Sequence, residues 1–291
     1  MFGVYYMKEY GKVFFNDIFI HNNGYDGIKI RPIFSNPEKC QSEIFEYTIA
    51  DSSICYISAD RVYFLSYGET LVIAKSEHFE ESFKVFSKEF DFESRADEQL
   101  ERLENEYEGE ETLFLGDSFF EFWRTGNNIT TTFDEVFAKY KVFNIGLGGS
   151  TTHDWRAINS KLFSKVSSPK NIIINIGINN VDDDNESGEQ CAFNVRCLIE
   201  DYLEKYPNTN VYYLSLTRCT GYFAHKWEHH SLSNQLMELY CNKTARLHYL
   251  DVMKYYGDDY PEFVYDGLHP NQGGYDLFEK VIKENVEFEE K

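Results

Sequence analysis

The sequence predicts an α/β protein in two parts, an antiparallel β-sandwich-like domain over residues 1–90 and an α/β domain with a parallel sheet over 112–291. An acidic linker, 91–111, lies between them. Three observations predict this: short runs with two-residue alternation before residue 90, a dense acidic stretch after it, and then apolar strands that alternate with helical segments. A length of 291 residues gives a soft prior of about two domains.

In the first part the runs are "KVFFNDIFI", "GIKIRPIF", "EIFEYTIA", "SICYIS", "RVYFLSY" and "TLVIAKS". Phe45, Tyr47 and Ile49 alternate with polar neighbours, the mark of a half-buried strand. Turn residues stand at the corners, at Asn22-Asn23-Gly24, Asp26-Gly27, Ala59-Asp60 and Gly68-Glu69, so a meander or small antiparallel sandwich is expected. "DFESRADEQLERLENEYEGEE", residues 91–111, then reads as a boundary, partly helical, whose acids form a solvated face.

Beyond it, "TLFL", "KVFNI", "NIIINI", "NVYYLSL" and "LHYLDV" read as five strands. Helical segments between them carry start signals: Thr132 with Glu135, and Ser187 with Gln190, stand at capping-box spacing. Trp155, Ile158 and Leu162 form an apolar stripe suited to a helix packed on the sheet. Strands interleaved with helices imply a parallel sheet.

Composition narrows the partners. A net charge of −21 would repel nucleic-acid phosphates and anionic headgroups, so neither nucleic acid nor a membrane is expected to bind. The start "MFGVYYMKEYGK" lacks a basic, apolar and small-residue leader pattern, and no long uncharged apolar run follows, which makes a cytoplasmic protein the expectation. Six scattered cysteines without a C-x-x-C pair are expected to be reduced and mostly buried.

Ligands of an open parallel sheet bind beyond the carboxyl ends of its strands. Those corners hold Gly116-Asp117-Ser118, then "NIGLGGS" from Asn144 to Ser150, then Gly177-Ile178-Asn179-Asn180, and finally "YDGLHPN" with Asp266 and His269. Together they offer what acyl transfer needs: a hydroxyl nucleophile, an imidazole, a carboxylate to fix its tautomer, and donors for an oxyanion. Of the eight histidines, only His269 has an Asp three residues earlier.

These blocks, "FLGDSFFEFW", "FNIGLGGSTT", "NIGINN" and "YDGLHPN", resemble in content and order those of the GDSL-type or SGNH hydrolases. The resemblance covers most of the chain from Thr112 onward and implies a three-layer, flavodoxin-like α/β/α domain. It implies Ser118 as nucleophile, His269 as base and then acid, and Asp266 as the orienting carboxylate. The backbone N–H groups of Ser118 and Gly149 and the side chain of Asn179 would form the oxyanion hole. One departure is visible, since the third block usually ends in Asp where this chain has Asn180.

Ordinary structural roles compete with these. Ser118 could cap the following helix, Asn179 a turn, and Asp266 and His269 could sit in a solvated loop; it is the joint presence of the blocks that favours chemistry. The Gly146–Gly149 stretch is a poor nucleotide loop, because Thr151 stands where a third glycine is needed. In "HKWEHH", His225 and His229 are four apart, but no Glu completes the H-E-x-x-H pattern, so no metal and no cofactor is expected.

A serine esterase acting on a small-molecule ester is therefore expected. "GGSTTHDW" and "TRCTGYFAHKWEHH" are mixed polar and aromatic, which suits an acetyl group on a neutral polar alcohol such as a sugar. Tyr222, Phe223 and Trp227 would stack on the sugar, and His153 or His225 would hydrogen-bond it. An N-terminal β-domain joined to such a hydrolase also resembles the layout of some carbohydrate esterases. Within the family, a short-chain or lysophospholipid esterase, a thioesterase and an acyltransferase remain open. From another class, the β-domain could bind ligand beside an idle hydrolase-like domain, against which the intact serine, histidine and asparagine argue. The oligomeric state is left open.

Overall fold

The computed structural model describes residues 10–20, 27–40, 42–87, 93–107, 109 and 111–291. They divide into two units, Met1–Asp91 with Arg156–Ser160 and Phe92–Trp155 with Lys161–Lys291. The expected corner at Asn22, Asn23 and Gly24, and Asp26 of the next one, lie outside the described residues.

The first unit is β-rich. Its strands are β1 (Val13–Phe14), β2 (Ile18–Ile20), β3 (Ile28–Lys29), β4 (Ile33–Phe34), β5 (Glu46–Ile49), β6 (Cys55–Ser58), β7 (Arg61–Phe64), β8 (Gly68–Lys75) and β9 (Glu80–Ser87). They form sheets of order β2-β9-β8-β5 and β3-β7-β6, with β1 and β4 as a separate pair. Alternation in β8 buries Thr70, Val72 and Ala74 and leaves Leu71 and Ile73 outward. Ile18, Ile20, Val72, Ala74, Phe83 and Val85 from the larger sheet join Cys55 and Val62 from the smaller one in a single apolar core, as in a sandwich.

Ala59 and Asp60 turn β6 into β7 as expected, with Ala59 at φ +54°. Gly68 and Glu69 do not form a corner; they open β8 and pair with Ser87 and Phe86 of β9. One pairing also departs from a pure antiparallel meander. β2 runs parallel to β9, which is possible because the chain from β3 to β8 supplies the long crossover that a parallel pair requires.

The acidic stretch is mostly helix α1 (Glu93–Glu106). Ala96, Leu100 and Leu103, spaced four and three apart, are buried, while Asp97 reaches Lys161 and Glu104 reaches Lys165.

The second unit has five parallel strands: β10 (Thr112–Gly116), β11 (Val142–Asn144), β12 (Asn171–Asn175), β13 (Asn210–Leu214) and β14 (Leu247–Leu250). Their order is β11-β10-β12-β13-β14, all in parallel register. The order reverses at β10, so right-handed crossovers on the two sides of the reversal lay helices on opposite faces. Those helices are α2 (Ser118–Thr125), α3 (Phe133–Val136), α4 (Thr152–Lys165), α5 (Ile178–Asp182), α6 (Gly188–Lys205), α7 (Trp227–Cys241), α8 (Met253–Tyr256) and α9 (Gln272–Asn285). Both expected capping boxes form, Thr132 with Glu135 on α3 and Ser187 with Gln190 on α6. Trp155, Ile158 and Leu162 of α4 are buried. β10 and β12 are buried along their whole length, and the carboxyl end of β10 lies between β11 and β12 at the point where the order reverses.

Candidate active site

Strand β10 ends at Gly116, where any side chain would collide with the Asn175 carbonyl of β12. Asp117 caps α2 by accepting a hydrogen bond from the Phe119 N–H at 3.0 Å, and Ser118 is the first helical residue. The helix start leaves the Ser118 N–H without an intrahelical acceptor and presents the positive end of the helix dipole. Asp117 is completely buried. Burial pushes its carboxyl up to about 7 despite the bond from Phe119, and its Oδ2 has no partner among the described residues.

The loop after β14 and α8 brings two more groups to this corner. His269 Nε2 lies 2.9 Å from Ser118 Oγ, and His269 Nδ1 lies 2.6 Å from Asp266 Oδ2. Asp266 Oδ1 also accepts the N–H groups of Leu268 at 3.0 Å and His269 at 2.8 Å. Partial burial raises the Asp266 carboxyl, but these hydrogen bonds and the neighbouring imidazole outweigh burial and hold it below the usual carboxylate range. Gly267, at φ +91°, makes the tight turn between the two side chains. The rings of Phe122 and Phe119 stand 4.5 and 5.6 Å from the imidazole, centre to centre, and that of Tyr265 stands 6.0 Å away.

Beyond β11 the glycine-rich loop is fastened on several sides. Asn144 donates to the Phe120 carbonyl at 3.0 Å and accepts the Gly146 N–H at 2.9 Å, and Leu147 N–H reaches the Gly116 carbonyl at 2.9 Å. Gly148 is gripped through both of its backbone polar groups: its N–H donates to Glu121 Oε2 at 2.9 Å, and its carbonyl accepts from Arg95 Nη1 at 3.0 Å. Arg95 and Glu121 complete the clamp through Nη2, at 2.9 Å to each carboxylate oxygen. Gly149, next in the chain, has φ +74°, and its N–H has no hydrogen-bond partner among the described residues.

After β12, Asn179 is 6% exposed and donates Nδ2 to the Ser150 carbonyl at 2.8 Å, leaving its second amide hydrogen available. Asn180 accepts the Thr152 N–H at 3.1 Å and donates to Thr152 Oγ1 at 2.9 Å, so the amide found where the resemblance leads one to expect Asp ties this loop to the start of α4.

The other expected residues lie in different surroundings. Tyr222, Phe223 and His225 occupy the 3-10 segment Gly221–Lys226, and Trp227 opens α7. Tyr222 is 82% exposed, and His225 Nδ1 bonds the Tyr222 carbonyl oxygen at 2.6 Å. This loop is joined to the His269 loop by the Thr220 N–H, which donates to the Gly267 carbonyl at 2.7 Å. His153 is buried, with Nε2 2.8 Å from Glu186 Oε1, an oxygen that also accepts from Asn194. His153, Asp184 and Glu186 form a set whose ligand atoms lie within 4.8 Å of one another, so these three residues could hold a cation. His229 Nδ1 accepts the Gly188 N–H at 3.3 Å.

The structure thus brings Ser118, Asp266 and His269 together. It also reveals Glu121 and Arg95, which the sequence reading passed over. Glu121 sits one helical turn after Ser118, and Arg95 is one of the few cations in the acidic stretch, a signal that charge counting alone discards.

A family model described as the GDSL-like Lipase/Acylhydrolase family matches residues 114–277, more than half of the chain. Comparison with curated proteins finds no match. Among solved structures, an assigned acylhydrolase from Bacteroides fragilis superposes with a TM-score of 0.52 at 19% identity, covering 67% of this chain and 94% of that one. A GDSL-like lipase from Bacteroides thetaiotaomicron superposes with a TM-score of 0.50 at 18% identity, covering 67% and 96%. At such identities the likeness shows a shared fold. No helix among the described residues is long and apolar enough to cross a membrane.

Proposed function

The chain belongs to the GDSL-like lipase/acylhydrolase family, hydrolases of ester bonds, and from that premise we propose that it is a serine esterase that removes short acyl groups, acetyl first, from a sugar or another small polar alcohol. The observation that carries this reading is the unbroken relay from Asp266 through His269 to Ser118, with contacts of 2.6 and 2.9 Å.

In the proposed reaction Ser118 Oγ attacks the ester carbonyl while His269 Nε2 takes its proton. Asp266 holds Nδ1–H, which fixes the tautomer that leaves Nε2 free to accept and stabilises the imidazolium that forms. The Ser118 and Gly149 N–H groups and the free amide hydrogen of Asn179 receive the oxyanion. The alcohol leaves with the proton from His269, and water activated by the same nitrogen then releases the acid from the acyl-enzyme. The reaction as proposed draws on no cofactor or metal.

Tyr222, Phe223 and Trp227 are proposed to offer ring faces to the alcohol, with His225 or His153 as hydrogen-bonding groups. A cytoplasmic location is part of the same proposal, and six free, buried cysteines support a reducing compartment. Release of acetate from an acetylated sugar by the purified protein tests the reading. Turnover of long-chain or lysophospholipid esters with none of acetylated sugars contradicts it.

A further inference from the structure

We propose that Arg218 is a specificity-determining residue that binds a carboxylate on the alcohol portion of the substrate. The inference rests on the esterase reading above and alters one point of it: the alcohol is acidic, not neutral.

Arg218 stands beyond the carboxyl end of β13, half-buried. Its guanidinium lies over the ring of Tyr260 at 4.3 Å and the ring of Trp227 at 5.6 Å. Such contacts use the charge over the ring faces and fix the group's position, and they satisfy none of its five N–H donors. Among the described residues these donors meet no carboxylate and no carbonyl, and the one hydrogen bond of Arg218 is backbone, from its N–H to Met253 Sδ at 3.3 Å.

This condition is shared with Arg124, whose Nε also lacks a partner among the described residues, but not with most arginines of this chain, which has 49 acidic against 28 basic residues. Arg95, Arg102 and Arg196 each meet a carboxylate, and Arg246 is used up by three backbone carbonyls. A half-buried guanidinium that has lost part of its water and gained no anion is poised to take one from a ligand, and its planar fork fits a carboxylate through two parallel hydrogen bonds.

Its position says which ligand. Two residues further on, the Thr220 N–H is bonded to the Gly267 carbonyl, inside the turn that holds Asp266 and His269. Arg218 therefore stands on a loop anchored to the reacting groups. In the field of a chain with net charge −21, a singly charged carboxylate is the least disfavoured anion, which argues for a sugar acid over a phosphorylated alcohol.

The test compares O-acetylated glucuronic acid with O-acetylated glucose, and uses p-nitrophenyl acetate to read the esterase activity by itself. Wild-type kcat/KM should favour the acid. In Arg218→Gln the KM for the acetylated acid should rise roughly 10–100-fold with its kcat retained, and the acid-to-neutral ratio should collapse toward one. Should that variant fold poorly, the wild type still decides through the ratio of its kcat/KM for the acid to that for the neutral sugar, which should exceed one. Turnover of p-nitrophenyl acetate with no preference for the acid, or with an equal loss on both sugars in the variant, overturns the role of Arg218 and leaves the esterase reading standing. No turnover of p-nitrophenyl acetate overturns both.

Discussion

His269 Nε2 lies 2.9 Å from Ser118 Oγ although 151 residues separate them in the chain. The parallel sheet makes this possible. Ser118 opens the helix after the interior strand β10, His269 sits in the last loop before α9, and both belong to the carboxyl side of the sheet, where every strand delivers its loop. The Gly267 turn then puts Asp266 on the far nitrogen of the same ring. Each of the following expectations depends on how these groups are held.

Asn179 offers a side-chain donor whose other hydrogen is already tied to Ser150. Replacing it with Ala should lower kcat by roughly 10²–10³ with little change in KM, because an oxyanion donor acts mainly on the transition state. Steady-state kinetics on an activated acetate ester checks this. An unchanged kcat assigns Asn179 to loop structure alone.

Arg95 acts through Gly148 and touches no reacting atom. Arg95→Ala should loosen the peptide unit before Gly149 and reduce kcat by roughly tenfold, about 1.4 kcal/mol, while KM moves little. Arg95→Lys should recover part of the loss. A rise in KM with kcat intact would instead give Arg95 a place in substrate binding.

Asp117 makes a prediction about stability. Its carboxyl is raised in the folded state to about 7, so its favourable contribution is complete below the unfolded value near ~3.9 and is lost as pH rises toward and through about 7. Above that, the buried charge opposes folding by up to about 4 kcal/mol. Asp117→Asn keeps an oxygen for the Phe119 N–H and should raise Tm relative to wild type at pH 8, with the difference shrinking by pH 5. Thermal melts at the two pH values check it, and a pH-independent difference contradicts it.

The proposed preference for short acyl groups rests on the mixed polar and aromatic loop around Phe223 and Trp227. Across a series from acetyl to octanoyl esters, kcat/KM should peak at acetyl or propionyl and fall steeply by octanoyl. A maximum at the long end removes the short-acyl assignment and leaves the serine chemistry in place.

Much of this was legible in the sequence because it is local. The strand-to-helix corner at Ser118, the capping boxes at Thr132 and Ser187, and the Asp266–His269 spacing each depend on residues within a few positions of one another. The parallel pairing of β2 with β9 was not legible, since it joins segments some sixty residues apart and alternation is blind to strand direction. The helical part of the acidic stretch was legible, but net charge hid its packed face, where the buried Ala96, Leu100 and Leu103 are outnumbered by acids. His153 read as a residue just past a site block, and only the fold shows its ring bonded to Glu186, 33 residues away.

The most direct measurement concerns Ser118 itself. The purified protein should react with a fluorophosphonate probe and hydrolyse an activated acetate ester, and Ser118→Ala should lose both while its melting curve stays close to wild type, since the change removes one oxygen. Probe labelling and wild-type turnover retained in a folded Ser118→Ala protein would contradict the account.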